Sequence, residues 1–214
     1  MDKNKILEKV AEGTKKEMQG EGTGHDWWHI KRVLENARAI ARKEKGSDLY
    51  ILELAVLTHD LDDWKFQKEK KFNVRKFLRE CGVELRDIER VREITEHLSF
   101  KMGTNKHKMK TLEGKIAQDA DRLDALGAIG IARLFAFGGR VGREIHNPEK
   151  KYRKYKSVKN LKWSTNTSLS HFYEKVLFLR DKMNTKTGRT MADKRHQYTE
   201  NFLKQFYAEW EGKR

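Results

Sequence analysis

The chain has 214 residues, of which 37% are hydrophobic and 37% charged, and its formal net charge is +15. This length suits one domain with a sizeable core, and such a charged composition favours amphipathic helices over a β protein. The single cysteine, Cys81, excludes an internal disulfide and indicates a reducing compartment, so we expect a cytoplasmic protein. No apolar run approaches the roughly 18 residues of a transmembrane helix, and the charged N-terminus lacks the apolar stretch of a secretory signal.

The positive charge indicates anionic partners such as phosphates, nucleotides or nucleic acid. A surface that is simply rich in solvated lysine would account for the same excess equally well. Charge by itself therefore leaves the nature of the partner open.

The first segment of interest follows a glycine-rich approach at residues 20–24. Apolar residues from Ile30 to Ala41 recur at helical spacing, which places His29 in the first turn of a core-facing helix. The preceding His25 and Asp26 lie on the flexible approach rather than on a buried element. Asp26 is a candidate N-cap for this helix.

The next predicted helix begins after Ser47 or Asp48, runs through Leu61 and is apolar on nearly all sides, so we expect it to be central and buried. Its last residues include His59 and Asp60. Burying an unpaired carboxylate is costly, so Asp60 needs a counterion, which a metal ion would supply. The neighbouring Asp62 and Asp63 fit exposed charges at a helix end.

Helical periodicity returns from Ile88 to Leu98, after a boundary at Gly82, and again over residues 115–135. In the latter segment we predict one mostly apolar helix, in which Gly127 and Gly130 permit close backbone approach.

Three aspartates of that helix compete for one metal-binding position. Asp121 and Asp124 are three residues apart and share a face, while Asp119 points elsewhere. Together with His29, His59 and Asp60, such a carboxylate completes a mixed nitrogen and oxygen ligand set. This set suits a hydrolytic divalent metal: Mn, Fe, Co, Ni or Mg.

Residues 138–163 interrupt the helical pattern, with nine basic residues against two acidic ones, and we predict a long basic loop there. Helical spacing resumes over residues 168–212, which we expect to form C-terminal helices that pack on the same core.

Three segments resemble the HD superfamily of metal-dependent phosphohydrolases, in particular a bacterial-type branch that acts on small nucleotides. The resemblance extends over residues 5–210 and implies an all-α, HD-domain helical bundle. It implies one domain over residues 1–214 with its motif core at residues 24–130. The segments are Gly24-His25-Asp26-Trp27-Trp28-His29-Ile30-x-Arg32-Val33, Gln118-Asp119-Ala120-Asp121-Arg122-Leu123-Asp124-Ala125-x-Gly127-Ala128-Ile129-Gly130 and His171-Phe172-Tyr173-Glu174-Lys175.

The resemblance selects His29 as the first ligand and Asp121 among the three aspartates, and so implies one divalent metal ion held by His29, His59, Asp60 and Asp121. Arg122 and Asp124 then remain as an outer layer around the ligands, as a phosphate clamp, or as an ordinary surface salt bridge.

Proton transfer requires a further group. Asp63 follows His59 by four residues and would share its helical face, and related nucleotidases carry a carboxylate there; Asp62 is the alternative. His107 lies in a lysine-rich stretch and is expected on the solvated surface. The substrate-binding candidates are Lys65, Lys101, Arg122, Arg143, His25 and His97, with Asp26 a candidate for substrate contact or for capping.

The resemblance favours hydrolysis of (deoxy)nucleoside triphosphates to monophosphate and pyrophosphate, with a small-molecule nucleotide as partner. A 5'-nucleotidase or a phosphodiesterase is the alternative within the superfamily. A basic nucleic-acid-binding protein with a vestigial metal site is the alternative of another class, suggested by Tyr152, Tyr155 and Trp163 in the basic loop. The intact ligand set argues against it.

Overall fold

A computed structural model of the chain describes residues 2–20, 24–61, 72–98, 108–150 and 166–213. Regular structure within these ranges is helical and includes no strand, which confirms the predicted all-α class. None of the described helices is both long and apolar enough to cross a membrane. The helices in chain order are α1 Lys3–Glu17, α2 Trp27–Ala41, α3 Leu49–Thr58, α4 Val74–Glu80, α5 Leu85–Leu98, α6 Leu112–Asp124, α7 Gly127–Arg140, α8 Leu177–Leu179 and α9 Lys186–Trp210.

Helix α3 is the centre of the bundle, as its apolar sequence predicts. Asp48 caps it by accepting a hydrogen bond from the Ile51 N–H, at 3.3 Å. The helix packs against α1, α2, α5 and α6. One continuous core cluster extends from Ile6 of α1 to Leu203 of α9, which confirms a single helical domain. The buried residues of α3 are Tyr50, Ile51, Leu52, Leu54, Ala55, Val56, Leu57 and Thr58.

The predicted end of α3 at Leu61 is wrong, because the helix ends at Thr58. Residues 59–61 form a turn, in which the Leu61 N–H donates to the Thr58 carbonyl at 3.2 Å. Successive residues of a continuing helix would point about 100° apart, whereas this turn lets His59 and Asp60 face the same space. The two polar side chains of His59 and Asp60 therefore lie in the turn at the end of α3.

The single helix predicted over residues 115–135 is also wrong, because α6 and α7 are separate helices that meet at residues 125–126. Gly127 adopts a left-handed φ of +72°, which interrupts the helical path between α6 and α7. A Cβ at Gly130 would lie 2.2 Å from the Ala125 carbonyl carbon, so the close backbone approach predicted for Gly130 does occur. At Gly127 the nearest backbone atom would lie at an ordinary contact distance of 3.6 Å. Apolar spacing continues on both sides of the break, so periodicity could not reveal it.

Helix α7 extends to Arg140, so the predicted basic loop begins later than residue 138. Residues 141–150 form no regular helix, and the remainder of the predicted loop lies outside the described residues. The chain then forms a π-helical turn, Phe172–Val176, which leads through α8 into a 3₁₀ turn, Arg180–Lys182. Helix α9 packs on α6 and α7 and closes the bundle.

Candidate metal centre

The bundle brings the four predicted ligands together from three elements. His29 comes from the first turn of α2, His59 and Asp60 from the turn after α3, and Asp121 from α6. The Nε2 atom of His29 lies 3.4 Å from Asp60 Oδ2 and 3.6 Å from Asp121 Oδ1. The Nε2 atom of His59 lies 3.4 Å from Asp60 Oδ1 and 3.9 Å from Asp121 Oδ1.

These distances suit a shared cation. Two ligand atoms that each lie about 2.1 Å from one metal ion, at an angle of about 90–110°, are roughly 3.0–3.5 Å apart. The observed separations are at or slightly above this range. Two overlapping groups of three side chains could each hold a metal ion, His29 with His59 and Asp121, and His25 with His29 and Asp60. One divalent ion bound by all four predicted ligands therefore requires a small contraction of the cluster.

The tautomers of both histidines fit this role. His29 Nδ1 lies 2.7 Å from Asp124 Oδ2, and His59 Nδ1 lies 2.8 Å from the Val56 carbonyl oxygen. Each Nδ1–H donates to its oxygen, so each Nε2 carries a lone pair. Both Nε2 atoms are buried, and neither meets a hydrogen-bond partner in the described part of the chain. Other buried side-chain atoms, such as His171 Nδ1 and His196 Nδ1, also lack partners there. These two Nε2 atoms differ in that both face the carboxylates of Asp60 and Asp121, where one metal ion would satisfy both.

Asp124 holds His29 in place through a dense set of hydrogen bonds. Its carboxylate accepts from Arg32 Nε at 2.8 Å and from Arg133 Nη1 at 2.9 Å, in addition to the contact with His29. Burial alone would raise the pKa of Asp124, but the hydrogen bonds from His29 and Arg32 and the charge of Arg133 hold it well below its usual value. Asp124 is therefore ionised and fixes the orientation of the His29 ring.

The sequence left two roles open near the start of α2, helix capping or contact with substrate. The structure gives Asp26 and His25 different surroundings. Asp26 caps α2, accepting a hydrogen bond from the His29 N–H at 2.8 Å. His25 Nδ1 lies 3.1 Å from Asp60 Oδ2, and its ring centre is 5.3 Å from that of His29. Burial lowers the pKa of His25 to about 4, against the opposing effect of Asp60. His25 is thus a neutral imidazole at the edge of the ligand cluster.

Asp60 remains ionised although it is buried. Burial would raise its pKa, but the neighbouring imidazoles of His59, His25 and His29 hold it well below the usual value. The carboxylate therefore contributes negative charge at the point where both Nε2 atoms converge.

Asp119 points away from the cluster, as its position on the helix predicts. Its Oδ1 accepts from the Asn184 N–H and its Oδ2 from the Thr185 N–H, each at 2.8 Å. Asp119 therefore anchors the start of α9 to α6.

The remaining predicted site residues are distributed more widely. Arg122 lies near the charges of Asp119 and Asp121, and its guanidinium donates to the Lys182 carbonyl. His97 is in the last turn of α5, and the Arg143 guanidinium lies 5.6 Å from the Phe137 ring centre. Outside the described residues lie Asp62, Asp63, Lys65, Lys101, His107, Tyr152, Tyr155 and Trp163.

Two arginines of the site were missed by the sequence reasoning. Arg32 is one turn after His29 and lies inside a motif string, so its position was a usable signal. Arg133 had none, since it reaches the site from α7 across the unpredicted break. Its Nε donates to the Gly24 carbonyl at 2.6 Å, which fixes the approach to His25.

The comparison with known proteins agrees with this geometry. The HD domain model matches residues 27–126, a range that contains all four predicted ligands. The sequence is also 35% identical to the YpgQ protein of Bacillus subtilis over 209 residues, which cover 96% of this chain and 94% of YpgQ. The chain belongs to the HD superfamily.

Solved structures of similar proteins agree over nearly the whole chain. An HD-superfamily hydrolase from Bacillus thuringiensis is 38% identical, with a TM-score of 0.74 and coverage of 98% of this chain and 99% of that one. The crystal structure of B. subtilis YpgQ in complex with ADP is 33% identical, with a TM-score of 0.77 and coverage of 98% and 97%. Membership of this superfamily supports a hydrolase role.

Proposed function

We propose that this protein is a metal-dependent phosphohydrolase that acts on nucleotides and cleaves (deoxy)nucleoside triphosphates to monophosphate and pyrophosphate. The observation that carries the proposal is the convergence of two buried, unpartnered Nε2 atoms on Asp60 and Asp121. The ADP bound to the similar YpgQ protein supports a nucleotide as the ligand class. The net charge of +15 is consistent with a polyanionic substrate.

In this proposal one divalent cation is held by His29, His59, Asp60 and Asp121. When bound, such a cation lowers the pKa of water and polarises a phosphoryl oxygen. Asp124 keeps the His29 ring oriented, and the His59 ring is kept oriented by the Val56 carbonyl. Both histidines thus enter the reaction in a fixed geometry, without reorganisation during turnover.

His25 is placed to contact the substrate. Its Nδ1–H donates to the ionised Asp60, so the Nε2 atom is an acceptor. Because its pKa is about 4, the ring stays neutral at pH 7. We propose that His25 contacts the substrate at the edge of the site.

We expect Asp63 to handle the proton of the attacking water, on the basis of the family resemblance. The helical-face argument for Asp63 no longer applies, because α3 ends at Thr58. Asp63→Asn should retain metal while kcat falls by roughly 10²-fold or more. The isosteric neighbour variant Asp62→Asn is the matched control. A fall in kcat for Asp62→Asn with none for Asp63→Asn would transfer the role to Asp62.

We further expect water to attack the α phosphorus. The developing charge of the pyrophosphate leaving group would be stabilised by four proposed cations, Lys65, Lys101, Arg122 and Arg143. Turnover of a deoxynucleoside triphosphate in ¹⁸O water would then place the label in the monophosphate. Label in free orthophosphate, or turnover of monophosphates with no pyrophosphate formed, would instead indicate a 5'-nucleotidase.

A further inference from the structure

The first turns of α2 and α7 flank a groove of about 700 Å³ next to the metal centre. The groove is lined by Trp28, Lys31 and Arg32 of α2, by Ile129 of α7 and by Arg195 of α9. Small-molecule sites typically have volumes of roughly 300–1,000 Å³, so the groove is large enough for one. None of the four proposed metal ligands lines it, whereas Asp124, which contacts His29 Nδ1, does.

The groove carries positive charge that the protein does not neutralise. Arg195 is partly buried and donates to the Leu123 carbonyl at 2.6 Å and to Asn36 Oδ1 at 2.9 Å. Within the described ranges no carboxylate lies within ion-pair distance of Arg195 or of the exposed Lys31. The charge of Asp124 acts on Arg195, but the two make no direct ion pair, so this partly buried arginine can still take an anionic ligand.

The two carboxylates at the groove are already engaged elsewhere. Glu35 pairs with Arg38 at 3.0 Å, so it does not neutralise Lys31. Asp124 is shared by His29, Arg32 and Arg133. Lys31 and Arg195 therefore make no direct ion pair within the described residues and can contact a ligand.

The start of α7 adds hydrogen-bond donors at the same place. Leu126 at the N-cap provides no side-chain acceptor, and the Gly127 N–H donates to Thr199 Oγ1 at 3.0 Å. In the described part of the chain, the N–H groups of the exposed Ala128 and Ile129 meet no acceptor. Free N–H groups at the N-terminus of a helix bind phosphate oxygens well, and here Arg195 lies beside them.

An apolar surface completes the site. The side chain of Trp28 is 63% exposed and that of Ile129 is 46% exposed, although both line a concave surface. An exposed indole next to cations favours a flat ring linked to phosphate, because the ring stacks while the phosphate binds the charges. This combination is the chemistry of a nucleotide.

We propose that this groove is a second nucleotide site, distinct from the metal centre. The phosphates bind between Lys31, Arg195 and the first turn of α7, and the base stacks on Trp28. Arg32 and Asp124 separate the two sites, so the bound nucleotide would lie against the arginine that holds the partner of His29. The inference goes beyond the proposed function, because binding in the groove requires neither metal nor turnover.

Equilibrium dialysis of the metal-loaded protein with the α,β-methylene analogue of ADP tests the proposal. We expect two molecules bound per chain, one at each site. Lys31→Glu and Ala128→Asp should each weaken binding of the molecule in the groove by at least about tenfold, since each places a carboxylate against the bound phosphates and such like-charge contacts are costly. An acidic residue in the first turn of a helix is favourable, so Ala128→Asp should not impair folding. Lys204→Glu, on the exposed surface of α9, makes the same charge change and should leave both in place.

His59→Ala should remove only the molecule bound at the metal centre, so loss of the proposed function and loss of the groove site are distinguishable. One molecule per chain that both groove variants retain would overturn the proposal. Trp28→Ala should weaken the same molecule as Lys31→Glu. Two results together would contradict nucleotide recognition and show a simple anion site. Trp28→Ala would bind the analogue in the groove unchanged, and inorganic phosphate at equal concentration would displace the analogue from the groove.

Discussion

His59→Ala is expected to remove bound metal and hydrolytic activity together. The variant deletes a buried Nε2 that has no hydrogen-bond partner among the described residues and therefore no structural role that would explain its position. The loss should exceed the roughly 10–100-fold effect of removing an outer partner of a ligand. Metal content by elemental analysis and steady-state turnover of a deoxynucleoside triphosphate measure the two effects. Asp121→Ala should behave in the same way.

The matched control is His196→Ala on α9. His196 lies 3.5 Å from Glu200 and far along the chain from the ligand motifs, so its loss should leave metal content and turnover unchanged. Full activity in His59→Ala or in Asp121→Ala would reject the ligand assignment.

Asp124→Ala is expected to destabilise the fold and to weaken metal binding. The variant leaves the Arg133 guanidinium, whose side chain is 14% exposed, without its carboxylate partner. Removal of one partner from a buried ion pair costs about 3–5 kcal/mol of unfolding free energy. Loss of the His29 contact should lower metal affinity roughly 10–100-fold. Urea unfolding in the presence of a chelator measures the first effect, and metal titration of the folded variant the second.

Asp193→Ala provides the comparison, because Asp193 pairs with Arg180 on the surface at 2.5 Å. This pair is screened by solvent, so its loss should change stability far less. Equal destabilisation by the two variants would mean that Asp124 does not have the anchoring role described for it.

The sequence was sufficient to predict the helical class and the central α3, because both depend on local spacing: Ile30 to Ala41 repeats at helical intervals, and the His59-Asp60 pair stands at the end of an apolar segment. The choice of the four proposed ligands depended on the family resemblance. The motif strings supplied the choice of Asp121 over Asp119 and Asp124.

The sequence could not show where helices end when the apolar pattern continues. The break at residues 125–126 depends on the left-handed Gly127 and on the contact of Gly130 with Ala125, both of which are tertiary features. The same limit hid Arg133, which contacts Asp124 although nine residues separate them, because α7 is a separate helix that begins after the break. Side chains that converge across such a break leave no periodic signal in the sequence.

Anomalous diffraction from crystals grown with Mn²⁺ tests the central claim most directly, namely that His29, His59, Asp60 and Asp121 bind one divalent metal ion. We expect a single anomalous peak within about 2.0–2.3 Å of the two Nε2 atoms and one oxygen of each carboxylate. A peak bound by His25 and Asp60 without His59, or no peak between the two histidines at saturating Mn²⁺, would contradict the account.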